Sequence, residues 1–151
     1  MRWVLLGLVL VGLTLPALAQ ENRYVGSQAC ADCHEAQYAS YKANSKKAHS
    51  SRTVQQMASD LTEEELKSCF ACHATGYGSP GGFVSFEKTP DLADAGCEVC
   101  HGPGGAHVDS GGDTSLIKGR GAIRVEDCMT CHTPERVRAF GFKPTLYSGG
   151  H

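Results

Sequence analysis

Beyond residue 20 this chain of 151 residues has few large aliphatic side chains, and glycine occurs 18 times in the whole sequence. That composition argues against an ordinary packed interior. There is no run of basic residues, so nothing points to nucleic acid as a partner. The apolar run from Trp3 to Leu15 is shorter than the about 20 residues that cross a bilayer. No cysteine sits at the cleavage site expected after that run to carry a lipid anchor. None of the eight cysteines lies outside four short units.

Those units read Cys30-Ala31-Asp32-Cys33-His34, Cys69-Phe70-Ala71-Cys72-His73, Cys97-Glu98-Val99-Cys100-His101 and Cys128-Met129-Thr130-Cys131-His132. Each is C-x-x-C-H, the covalent attachment motif of c-type haem. Two thiols add across the two porphyrin vinyl groups, and the two-residue spacer sets the sulfurs at the vinyl separation. The histidine directly after the second cysteine reaches the iron from the side of those links. The eight cysteines are therefore the expected attachment residues, and His34, His73, His101 and His132 the expected proximal ligands. Zinc ribbons also use paired C-x-x-C units, and a disulfide framework suits an exported chain with an even cysteine count. Neither requires a histidine after every second cysteine. First cysteines follow one another at 39, 28 and 31 residues, so this is no solenoid repeat.

Residues 1–19 read as a secretory signal peptide, with Arg2 as the positive region and Ala17-Leu18-Ala19 as the cleavage site. Haem c is attached outside the cytoplasm, so export to the periplasm, or to the cell exterior, agrees with the motifs. Removing those 19 residues leaves one domain, 20–151, of 132 residues, or 33 for each of four haems. So little protein cannot bury four porphyrins in a conventional core. The expected fold is mainly α with much irregular loop, a small tetrahaem cytochrome c in which the haems form the core. This domain keeps 13 basic and 16 acidic residues, a net charge of about −3, which points to a docking partner with a positive patch. No membrane anchor is expected after cleavage.

Glu35 to about Ser59 is expected to be helical, with a break near Asn44-Ser45 and His49 within it. Thr62-Glu63-Glu64-Glu65 is a capping-box pattern that starts a short helix leading into the second unit. Gly76, Gly78, Pro80, Gly81 and Gly82 spell a loop. Phe83 to Phe86 is read as apolar cover over a porphyrin in preference to a strand. Gly102-Pro103-Gly104-Gly105 is a tight turn before His107. Asp109 to Gly121 is expected as surface loop, and Pro134 opens a helix running to about Phe140.

The chain has seven histidines. Four are proximal, and His49, His107 and His151 remain. Four bis-histidine haems would need four more. At least one sixth position is thus left to methionine, another side chain, water, a substrate or a neighbouring molecule's histidine. His49, His107 and His151 are the candidate distal ligands. His107 is expected at a haem other than its own, because the short turn would be strained in doubling back. Met57 is a weaker candidate, and Met129, pinned between two cysteines, is a poor one.

From about Gly26 to Cys131 the sequence resembles the cytochrome c-554 family, tetrahaem cytochromes that accept electrons from hydroxylamine oxidoreductase in ammonia-oxidising bacteria. The carriers are Cys30 to His34 with Lys46-Lys47-Ala48-His49, and Cys69 to His73 with Gly76-Tyr77-Gly78 and Gly81-Gly82. Gly96-Cys97-Glu98-Val99-Cys100-His101-Gly102-Pro103-Gly104, with His107 after it, is the most specific piece. The resemblance implies His49 as distal ligand of the third haem and His107 of the first. It also implies an open, five-coordinate haem on His73, and haems packed in pairs, first with third and second with fourth. Family members continue well beyond the fourth unit and take that haem's distal histidine from the extension. Here 19 residues follow His132, and His151 is the candidate replacement, for its own haem or a neighbouring molecule's.

The leading functional reading is an electron carrier with redox proteins as donor and acceptor, performing no substrate chemistry. One alternative is a haem enzyme or sensor that binds or reduces nitric oxide, nitrite or hydroxylamine at the haem of His73. Another is an oligomer, a multihaem filament joined through His151.

Overall fold

The computed structural model describes residues 22–134. The expected signal peptide, the helix expected after Pro134, and His151 lie outside the described residues. Within them the chain is mainly α with much irregular loop. The helices are α1 (Gln28–Ala31), α2 (Glu35–Asn44), α3 (Ser50–Met57), α4 (Glu63–His73), α5 (Cys97–His101), α6 (Gly105–Asp109) and α7 (Val125–Met129). No strand occurs among the described residues, and none of their helices is long and apolar enough to cross a membrane.

Helix α4 starts where the sequence says it should. The Thr62 hydroxyl accepts from the Glu65 N–H, and the Glu65 carboxylate accepts from the Thr62 N–H at 2.9 Å. Two of the four orphan N–H groups at the helix start are thereby satisfied. Glu63, Glu64 and Glu65 all lie in the first turn, where the helix dipole favours negative charge. Glu63 also pairs with Lys67 one turn on.

Between α2 and α3 the chain is extended at Ser45, whose hydroxyl accepts from the Lys47 N–H at 3.3 Å. A single 3-10 turn, Lys46–His49, follows. His49 therefore occupies the junction before α3, with φ −137° and ψ 21°, and not a helix interior.

The apolar core is a small cluster of Val54, Phe70, Ala74, Phe83, Leu92 and Ala93. Phe83 and Phe86 form no strand. Their rings pack edge-on against Phe70, at centroid distances of 5.0 and 5.6 Å. Each such pair is worth about 0.5–1.5 kcal/mol beyond the area it buries. The preceding loop closes on itself so tightly that a Cβ at Gly82 would sit 1.8 Å from the Gly76 carbonyl oxygen.

Elsewhere hydroxyls and one carboxylate join distant segments. Thr75 Oγ1 donates to the Asp94 carbonyl at 2.6 Å and accepts from the Gly96 N–H at 2.9 Å. Ser27 Oγ accepts from the Cys97 N–H at 3.1 Å. The Tyr41 hydroxyl donates to the Ala95 carbonyl at 3.3 Å. Glu98, only 2% exposed, accepts from the N–H groups of Val25, Gly26 and Gly104 at 3.0, 2.8 and 2.7 Å. A carboxylate taken from water needs such donors. Among the described residues no buried side-chain polar atom lacks a partner.

Candidate haem sites

Each unit lies on or at the end of a helical turn. Cys97–His101 is α5 itself, and Cys69–His73 forms the last turns of α4. In the first and fourth units the histidine N–H bonds back four residues, His34 to the Cys30 carbonyl and His132 to the Cys128 carbonyl, both at 2.9 Å. Residues three and four apart on a helix share a face. The spacing thus presents both sulfurs and the histidine together. No two of the eight cysteines are joined in a disulfide. Among the described residues no three of His, Cys, Asp and Glu converge in the manner of a zinc site.

The units meet in pairs. In the first pair the Cys30 thiol donates to the Cys97 sulfur. That bond, with help from the Ser27 hydroxyl and His101, pulls the Cys97 thiol down to about 6 against the effect of burial. The same bond, then burial, pushes Cys30 up. The rings of His34 and His107 stand 6.4 Å apart between centroids, with planes 18° from parallel. In the second pair Cys72 Sγ lies 3.9 Å from the Thr130 carbonyl, and Cys131 Sγ lies 3.8 Å from the Ala71 carbonyl. Burial, and next the charge of Cys100, push the Cys128 thiol up. The third and fourth units are bridged by Lys118, whose carbonyl lies 2.6 Å from His101 Nδ1 and whose ammonium donates to Asp127, next to Cys128, at 2.6 Å. These links run first, third, fourth, second.

Three ring nitrogens fix a tautomer. Nδ1 of His73 lies 2.9 Å from the Ser50 carbonyl, Nδ1 of His101 2.6 Å from that of Lys118, and Nδ1 of His107 2.9 Å from that of Asp113. A carbonyl only accepts, so each Nδ1 carries the proton and the lone pair is on Nε2. A metal-binding histidine is arranged this way. These features fit haem c: paired thiols one turn apart, and histidines prepared to ligate through Nε2.

The turn that carries His107 is clamped by the N-terminal segment. Asn22 donates to the Pro103 carbonyl at 2.7 Å and accepts from the Ala106 N–H at 2.8 Å. The Arg23 guanidinium grips both oxygens of Asp109, at 2.6 and 3.0 Å. His107 thus turns from the His101 unit toward that of His34. The ring of His49 is exposed. Met57 and Met129 are 50% and 38% exposed. Ser50, Glu98, Lys118 and Asp113 were not legible as site residues. The signal for Glu98 was its place between two haem-motif cysteines; backbone acceptors leave no mark on side-chain identity.

Residues 29–102, which hold the first three units, match the family described as cytochrome c554 and c-prime. Cytochrome c-554 of Nitrosomonas europaea is 34% identical over 111 residues, covering 63% of this chain and 46% of that protein. Over this stretch the chain is similar to the cytochrome c-554 family. It spans about half the length of that curated relative. No solved structure matches it. The family-model match ends at Gly102, so the fourth unit lies beyond the residues it covers.

Proposed function

We propose that this chain is a periplasmic electron carrier that holds four c-type haems. The carrying observation is the contact between cysteine sulfurs and neighbouring units. A thioether sulfur is bonded to a porphyrin edge, so units joined at their sulfurs bring porphyrin edges together in two pairs, first with third and second with fourth. The Lys118 bridge between the third and fourth units would join the two pairs into one path. Haem c supplies the one-electron iron couple, which axial ligands, burial and hydrogen bonds tune.

In this reading the four cysteine pairs hold the haems, and His34, His73, His101 and His132 are the proximal ligands. His107 ligates the iron of His34. Two imidazoles meeting one metal end-on, through bonds of about 2 Å, have ring centroids about 6 Å apart, and the observed separation is 6.4 Å. His49 ligates the third iron and His151 the fourth. Seven histidines then leave the second iron, on His73, with an open face. Donor and acceptor are redox proteins, at least one with a positive docking patch.

Haem content and carbon monoxide binding by the reduced holoprotein test this reading. Four haems and one bound carbon monoxide per chain are expected, with fast electron exchange among the haems. Fewer than four haems, or haems that exchange electrons slowly, would overturn it. Two carbon monoxide molecules would remove His151 as a ligand and favour the reading as a nitrogen-oxide enzyme or sensor. None would favour a ligand donated by a neighbouring chain.

A further inference from the structure

Ser50 follows His49 directly and is bonded twice to His73. Its hydroxyl donates to the His73 carbonyl, 2.8 Å away, a bond shared with the Lys47 carbonyl at 2.9 Å. Its own carbonyl accepts from His73 Nδ1 at 2.9 Å. The two bonds run in opposite directions between the same two residues, 23 positions apart. The hydroxyl also accepts from the Ala95 N–H at 2.8 Å. Ala95 stands two residues before Cys97, and the next residue along, Ser51, donates its N–H to the Asp94 carboxylate at 2.9 Å.

A serine in the first turn of a helix needs only a nearby carbonyl, and Lys47 provides one. The two hydrogen bonds with His73 and the one from Ala95 go beyond that need. They place one residue between the imidazole of the second site, the backbone entering the third, and His49. A hydrogen bond from Nδ1 to a carbonyl makes an imidazole a stronger donor to its metal and favours the oxidised state. Here the position of that carbonyl is set by the hydroxyl of the same residue. Any shift of the His73 ring therefore acts on the backbone that carries His49.

We propose that Ser50 is a positioning residue that couples the second haem site to the third, so that the redox state of each alters the other. The coupling is reciprocal by thermodynamic necessity. This rests on His73 and His49 being iron ligands, as proposed above.

The test uses the four-haem protein and its S50A, S50T and H49M variants, in potentiometric titrations followed by electron paramagnetic resonance and resonance Raman spectroscopy. The high-spin signal marks the second site, and H49M marks the third by turning a bis-histidine signal into a histidine–methionine one. S50A is expected to raise the potential of the second site and lower its iron–histidine stretching frequency. It should also move the third site and weaken the dependence of each on the other by roughly fivefold or more. The first and fourth sites should stay in place, and S50T should restore both affected ones. A shift at one site alone, an equal shift at all four, or no shift would overturn the coupling. Should S50A fail to take up haem, S50C gives the same readout with a side chain of similar size. If H49M leaves every signal unchanged, His49 is no ligand, and the functional reading falls together with this proposal. If H49M changes a signal while S50A moves neither site, only the proposal falls.

Discussion

In Cys97–His101 the spacer begins with Glu98, which is 2% exposed. In Cys128–His132 it begins with Met129, which is 38% exposed. The buried carboxylate receives three backbone N–H groups from segments on either side of its unit. The fourth unit is held from its approach instead. Lys118 meets Asp127 at 2.6 Å, and the other carboxylate oxygen accepts from the Arg124 N–H at 2.8 Å. Such half-exposed ion pairs add little and are screened by salt. The five-residue pattern is the same in both places. It sets the attachment chemistry, and the spacer and flanks decide how firmly the site is embedded in protein.

That contrast breaks most visibly at Glu98. E98A strands three N–H groups, of which those of Gly26 and Gly104 are buried with it, at about 1–3 kcal/mol each. Denaturant unfolding of the holoprotein should show a loss on the order of 3 kcal/mol or more. E98Q keeps one good acceptor and should fall between E98A and the parent. A loss from E98A no larger than an ordinary surface substitution would erase the contrast.

Asp127 offers a smaller effect of a different kind. Its carboxyl is held below the usual carboxylate range, first by the hydrogen bond from Lys118 and then by the Arg124 N–H. A carboxyl lowered by folding stabilises above its unfolded pKa, and that contribution is lost as pH falls through the folded value. Acidification through and below the ordinary carboxylate range should thus loosen the fourth site, as read by amide exchange in α7. D127N should abolish that acid step, and added salt should weaken the pair at neutral pH. An unchanged acid step in D127N would assign it elsewhere. The smallest effect belongs to Met129. M129T should change stability by no more than about 0.5 kcal/mol in the same denaturant experiment.

Much of this was readable from residue types with a local signature. The four C-x-x-C-H units, the Thr62–Glu65 cap, the break at Ser45 and the turn that sends His107 away from His101 all depend on a few adjacent positions. What was not readable depends on distant backbone. A glutamate in a spacer is expected at the surface, and only folding reveals that Val25, Gly26 and Gly104 surround Glu98. The carbonyls of Ser50, Lys118 and Asp113 serve His73, His101 and His107, yet any residue has a carbonyl. The segment 109–121, read as plain loop, supplies two of them. That Phe83 and Phe86 pack against Phe70, inside the second unit, likewise depends on rings brought together from separate segments.

The clamp of Asn22 to Gly26 on Glu98 and on the Pro103–Asp109 turn has a consequence for the order in which the molecule is made. Its hydrogen bonds join residues 72 to 86 positions apart. A chain grows from its N-terminus, so these residues wait for partners until the stretch to Asp109 has been added. Cys30–His34 is thus the earliest site to be synthesised, yet its surroundings close only after the third unit and His107 exist. Until then nothing from Glu98 or the Pro103–Asp109 turn holds the segment that leads into it.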